Sequence, residues 1–115
     1  MAKVWNVGVV GCGIGRSHIL EGYASQPDMF RTAAICDLDE TRLAAVGDEF
    51  GVPLRTRSFD ALLADPGIDI VDICTPPSLH VPQSLAALAA GKQVICGKPL
   101  AGSLADGKLS EQRNL

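Results

Sequence analysis

The chain has no C-x-x-C pair, no basic cluster, no internal repeat, no low-complexity segment and no apolar run of membrane-spanning length. Each absence removes a class of function. Cys12, Cys36, Cys74 and Cys96 are separated by 24, 38 and 22 residues, so no metal site of the zinc type is signalled. The ten Lys and Arg are scattered and the net charge is −3, which argues against nucleic acid as a partner. The N-terminal apolar stretch is too short for a membrane and lacks the layout of a signal peptide. No membrane partner is expected, and the default compartment is cytoplasmic. What is present is 115 residues with 47% hydrophobic content, enough for one well-buried domain but small for an enzyme with a separate substrate site.

The richest signal is Gly11-Cys12-Gly13-Ile14-Gly15, directly after the apolar run Val7-Gly8-Val9-Val10. A buried strand turning through glycines into a helix brings bare backbone N–H groups up to a phosphate. The helix is predicted over residues 16–25, closed by Pro27.

Beyond it, strand and helix signals alternate. Strands are predicted over residues 3–10, 30–36, 52–56, 68–74 and 93–96. Helices are predicted over residues 40–50, capped by Asp39 and ended by Gly51, and over residues 59–64. A last helix is predicted from Leu79 or His80 to Ala90, with Pro82 tolerable only in its first turn. Ser103-x-x-Asp106 reads as a further helix start, weakened by Gly107. The alternation implies an α/β fold: a doubly wound, Rossmann-like parallel sheet in the order 3-2-1-4-5, with helices on both faces. The domain is predicted over residues 1–106, followed by a polar tail over 107–115.

Ligands of such sheets bind beyond the carboxyl ends of the strands, where residues 11–15, Asp37, 75–80 and 97–98 should gather. Asp37 lies 26 residues after Gly11 and closes the second strand. A carboxylate there can accept both hydroxyls of an adenosine ribose and would repel a 2′-phosphate, favouring NAD. Arg42 nearby keeps NADP open, and capping of the next helix is the alternative role for Asp37. Lys98 is the lysine placed at this edge; it is either a solvated loop residue or a group that binds a substrate hydroxyl and helps remove its proton. His18 and His80 are left between a solvent-facing and a cofactor-facing role. Asp72, in a central strand, reads as a structural carboxylate that has found donors. Three cysteines fall at strand ends and the fourth in the glycine loop, which lets them approach one another; they are read as small apolar filler in a reducing cytosol.

Three segments together resemble the N-terminal domain of the Gfo/Idh/MocA oxidoreductase family. They are Val7-Gly8-Val9-Val10-Gly11-Cys12-Gly13-Ile14-Gly15-Arg16-Ser17-His18, Ile73-Cys74-Thr75-Pro76-Pro77-Ser78-Leu79-His80 and Ala90-Gly91-Lys92-Gln93-Val94-Ile95-Cys96-Gly97-Lys98-Pro99-Leu100. The similarity covers residues 3–106. It implies an NAD- or NADP-dependent dehydrogenase of sugars, inositols or related polyols. By that resemblance Gly11, Gly13, Ile14 and Gly15 approach the pyrophosphate and Asp37 the adenosine ribose. Thr75, Pro76 and His80 line the nicotinamide half, and Lys98 is catalytic at the reacting hydroxyl.

Three departures from the family pattern stand out. The glycine loop is one residue short, Pro77 stands where asparagine is usual, and Gly97 replaces the glutamate that would orient Lys98. The family's second α/β domain has no counterpart after Leu100, and a sixth strand is also missing. The expectation is a truncated chain, the cofactor half of a longer enzyme, with strand five an edge open to homo-oligomer formation. The alternative is a non-catalytic nucleotide-binding module that senses NAD(H) or mediates assembly.

Overall fold

In a computed structural model, which describes residues 3–96, five parallel strands form one sheet in the order β3-β2-β1-β4-β5. The strands are β1 (Trp5–Val10), β2 (Phe30–Cys36), β3 (Leu54–Thr56), β4 (Ile70–Ile73) and β5 (Gln93–Cys96). The helices are α1 (Cys12–His18), α2 (Glu40–Phe50), α3 (Phe59–Ala64) and α4 (Pro77–Ala89), with a π-helical turn, Ile19–Tyr23, continuing α1. The order is the one the alternation predicted. The predicted start at Ser103 and the tail over 107–115 lie outside the described residues.

Side-chain alternation along the strands divides the core in two. Val7 and Val9 of β1, Ile35 of β2 and Ile70 of β4 pack with Ile19, Tyr23, Leu43 and Val46, on the face covered by α1, the π-turn and α2. Val10, Ala34, Cys36, Val71 and Ile73 face the other way, onto Leu62 and Ala87 of α3 and α4. Gly8 lets that second layer approach: a Cβ there would meet the Leu62 methyls at 3.0 and 3.2 Å.

Local chemistry explains the best-defined ends. Asp39 caps α2 by accepting from the N–H groups of Thr41 and Arg42 at 3.0 and 3.1 Å. Gly51 ends it in the left-handed region at φ 63°. Strands β1, β3 and β4 each start two residues later than predicted, and β4 ends one residue earlier, because sheet pairing begins only at Trp5, Leu54 and Ile70 and ends at Ile73. Two helix starts also need correction. Helix α1 starts at Cys12, four residues earlier than predicted, because the shortened loop leaves only Gly11 (φ 94°) to make the turn. Gly13 and Gly15 are therefore helical. Helix α4 starts at Pro77, so Pro82 lies beyond the first turn, where it removes one N–H from the ladder.

Lys92, in the family-like Ala-Gly-Lys segment, has a structural task at the sheet's amino edge. It is 8% exposed, and its Nζ donates to the carbonyls of Asp65 and Ile68 at 2.7 and 2.8 Å. It thus ties the turn before β4 to the start of β5. Lys92→Met keeps the apolar stem but removes the donor shared by both carbonyls, leaving the Asp65 carbonyl with only the Ile68 N–H at 3.2 Å. The expected loss is about 2 kcal/mol, read as a lower urea midpoint at unchanged slope; an unmoved midpoint refutes the role.

Candidate functional site

The carboxyl edge of the sheet assembles three loops. Gly11 turns the chain from β1 into α1, and its N–H donates to the Cys36 carbonyl at 2.8 Å. A Cβ at Gly11 would lie 2.8 Å from the Cys74 carbonyl oxygen, so the turn rests on the backbone leaving β4. Gly15 is buried beside the same strand end; a Cβ on it would lie 2.5 Å from a Val9 methyl. Gly13 is different: it is exposed, with nothing within 4 Å of where a Cβ would sit. Ile14 beside it is 63% exposed. The first turn of α1 therefore faces open space, and its N–H groups at Gly13 and Ile14 precede any possible intrahelical acceptor four residues back.

Asp37 sits between this turn and α2. Its Oδ2 accepts from the Cys12 N–H at 2.8 Å and its Oδ1 from the Asp39 N–H at 2.8 Å, with Arg42 Nη1 3.4 Å from Oδ2. Burial pushes this carboxyl up, but the two amides and Arg42 together hold it below the ordinary carboxylate range. It is a carboxylate wherever the protein is handled near neutrality. That folded-state preference contributes stability above the unfolded pKa and is lost as pH falls through the depressed value. Oδ2 is engaged by Cys12 and Arg42, whereas Oδ1 retains a second lone pair; the capping of α2 weighed for Asp37 falls to Asp39 instead.

On the other side, Thr75, Pro76 and His80 lie together at the entry to α4. His80 Nε2 is 2.6 Å from the Thr75 carbonyl, and Thr75 Oγ1 donates to Gln83 Oε1 at 2.6 Å. Pro76 precedes the first residue of the helix. His80 is accordingly held by its own loop. Lys98 and Gly97 lie outside the described residues.

Directly beneath Gly15, the structure brings together residues the sequence left separate. Asp72 has no exposed surface and accepts from the Tyr23 hydroxyl at 2.6 Å; His18 Nδ1 lies 2.7 Å from the same oxygen, Oδ2. The Cys74 thiol donates to Oδ1 at 3.3 Å and lies 3.3 Å from His18 Nδ1. Asp72 is thus the satisfied structural carboxylate that its central position predicted. Alternation puts Asp72 and Cys74 on the same face of one strand end, which no local pattern relates to His18 and Tyr23.

The four cysteines are free thiols. Cys12, Cys36 and Cys74 are buried and Cys96 is half-buried. Burial, with Asp37 adding to it, pushes Cys12 up to about 12 and Cys36 up to about 11; burial and Asp72 raise Cys74 as well. Cys12, Cys36 and Cys74 are thus protonated at neutral pH in the structure as it stands. Among the described residues no helix is long and apolar enough to cross a membrane.

A parallel sheet with a glycine turn, an acid ending its second strand and a proline-led helix after its fourth defines a dinucleotide-binding architecture. The chain belongs to the oxidoreductase family with an NAD-binding Rossmann fold, which it matches over residues 5–111. It is similar to D-xylose 1-dehydrogenase (NADP(+)) 2 of Haloferax volcanii, with 41% identity over 97 residues, covering 84% of this chain and 29% of that protein. It is also similar to inositol 2-dehydrogenase 1 of Saccharopolyspora erythraea, with 38% identity over 105 residues, covering 87% and 30%. Among solved structures it resembles levoglucosan dehydrogenase in complex with NADH, with a TM-score of 0.76 and 34% identity over 86% of this chain and 28% of the other. The chain thus spans less than a third of the length of these relatives.

Proposed function

We propose that this chain is the cofactor-binding domain of a nicotinamide-dependent dehydrogenase acting on a sugar, inositol or related polyol. The observation that carries the reading is the convergence at one sheet edge of the open turn at Gly11 and Gly13, the ionised Asp37 and the segment from Thr75 to His80. The open space at Gly13 fits a close-approaching pyrophosphate, because any side chain there would enter it. Support for the substrate class comes from relatives whose names specify xylose and inositol and from the levoglucosan dehydrogenase likeness.

In this reading the N–H groups of Gly13 and Ile14 bind the pyrophosphate, with Gly11 and Gly15 shaping the turn that presents them. Asp37 accepts from the adenosine ribose, which favours NAD over NADP, and Arg42 softens that preference. Thr75, Pro76 and His80 form the wall of the nicotinamide half. Nicotinamide, when bound, supplies the hydride acceptor for a secondary alcohol carbon. Lys98 takes up the hydroxyl proton as the alcohol becomes a carbonyl. The free thiols support a reducing, cytoplasmic setting.

The test is titration of the purified chain with NADH and, separately, NADPH, followed by nicotinamide fluorescence. Saturable NADH binding is expected. Asp37→Asn, which keeps an acceptor for the Cys12 amide, should weaken NADH about tenfold and narrow its advantage over NADPH. A chain that is folded by circular dichroism yet binds neither nucleotide overturns the reading.

A further inference from the structure

The cluster under Gly15 holds more chemistry than a structural carboxylate needs. His18, Asp72 and Cys74 each offer a metal-ligating atom, and these atoms all lie within 4.8 Å of one another. We propose that His18, Asp72 and Cys74 form a binding site for one zinc-class divalent cation, separate from the residues that would hold a dinucleotide.

Two structural devices build it. Asp72 and Cys74 project from one face of the β4 end, two residues apart, toward the face covered by α1. The helix contributes through its irregular turn. In a regular α-helix His18 and Tyr23, five residues apart, would point about 140° away from each other. The π-turn, closed by the Ala24 N–H bonding to the Ile19 carbonyl at 2.7 Å, narrows that angle, so both side chains reach Asp72. Such turns recur at functional sites.

The donor set selects the ion. One imidazole nitrogen, one carboxylate oxygen and one thiolate suit a borderline-soft ion such as zinc, whereas Mg²⁺ and Ca²⁺ prefer oxygen alone. Zinc–donor lengths of about 2.0–2.3 Å in a tetrahedron put donors about 3.3–3.8 Å apart. The thiol already stands 3.3 Å from both Asp72 Oδ1 and His18 Nδ1. The shorter contact, 2.7 Å between His18 Nδ1 and Asp72 Oδ2, is a hydrogen bond that an entering cation would replace. Tyr23 keeps its own bond to Oδ2 and orients the carboxylate from outside the coordination shell.

His18 is the accessible member, its side chain 31% exposed, and it lines an open groove of about 310 Å³ with Ser17, Glu21, Gly22 and Tyr23. The ion enters from that side, and a water or exogenous ligand takes the fourth position. The balance is simple. The Cys74 thiol proton goes to solvent, His18 carries its remaining proton on Nε2, and no redox change occurs.

The test is titration of the full chain with Zn²⁺, and with Co²⁺ as a spectroscopic substitute, in a thiol-free reducing buffer. The expected result is one equivalent bound, with a sulfur-to-cobalt charge-transfer band and the visible bands of tetrahedral Co²⁺. Cys74→Ala should abolish the charge-transfer band and weaken Zn²⁺ more than about 100-fold, and Tyr23→Phe should weaken it about 10- to 100-fold. Cys36→Ala, at a buried thiol outside the cluster, should leave both unchanged. If Cys74→Ala fails to fold, His18→Gln at the half-exposed ligand replaces it and should lower affinity comparably. No saturable binding, or binding indifferent to these ligand variants, overturns the site and leaves a purely hydrogen-bonded cluster.

Discussion

Gly11→Ala is expected to destabilise the chain by about 3 kcal/mol, whereas Gly13→Ala, two residues on, should be neutral or stabilising by about 0.5–1 kcal/mol. The two glycines share a motif but not a reason. Gly11 has φ 94°, and its added Cβ would lie 2.8 Å from the Cys74 carbonyl oxygen and 2.9 Å from its carbon. Both objects are backbone at the end of a central strand, so neither gives way cheaply. The positive φ adds a penalty of about 1–2 kcal/mol for any L side chain. Gly13 lies inside α1 with no neighbour within 4 Å of a Cβ, so alanine gains helix propensity without a clash. Urea unfolding of both variants measures the difference. Nucleotide binding supplies the second reading: Gly13→Ala should fold well and yet bind NADH more weakly, because its methyl enters the space assigned to the pyrophosphate. Equal destabilisation by both variants would mean that the turn does not rest on the β4 backbone. Unchanged NADH affinity in Gly13→Ala would remove the pyrophosphate from α1.

Asp72→Val is expected to cost about 3 kcal/mol or more, and Tyr23→Phe added to it should recover about 1–2 kcal/mol. Asp72 is fully buried and receives the hydroxyl of Tyr23, which is itself 8% exposed, together with His18 and the Cys74 thiol. Valine is close in volume, so the loss comes from stranding donors rather than from a cavity. Burial and the neighbouring carboxylate raise the Tyr23 phenol far above its ordinary value, so it stays a donor throughout the accessible pH range. Removing the hydroxyl from the double variant eliminates the group most expensive to strand. A double-mutant cycle by urea unfolding reads the coupling directly. Strictly additive single and double variants would show that the Tyr23–Asp72 bond contributes nothing net.

Much of the architecture was legible because it is written in local chemistry. β2, α2, α3 and β5 occupy the residues predicted for them. In each case a cap, a glycine or a β-branched run marks the ends without help from distant residues. The helix starts that differ lie where two local signals compete. Glycines read as loop and predict the start of α1 after Gly15, yet with one residue missing from the turn Gly13 and Gly15 are drawn into the helix. Two prolines read as a break and predict the start of α4 after Pro77, although proline is at home in the first helical position.

The site divides the same way. Gly11, Asp37, Thr75, Pro76 and His80 were legible as neighbours because parallel topology delivers every strand's carboxyl end to one edge, an inference that needs strand order but no side-chain detail. Residue types and spacing alone determined the sheet and its order, while the family came from the resemblance carried by three segments. The meeting of His18, Tyr23, Asp72 and Cys74 was decided only in three dimensions. Its members are up to 56 residues apart. Their encounter depends on a π-turn that rotates one helix and on the layer of packing that lowers it onto β4. Backbone periodicity is a property of neighbours in the chain, and side-chain convergence is a property of packed layers, so the first can be read from sequence and the second cannot.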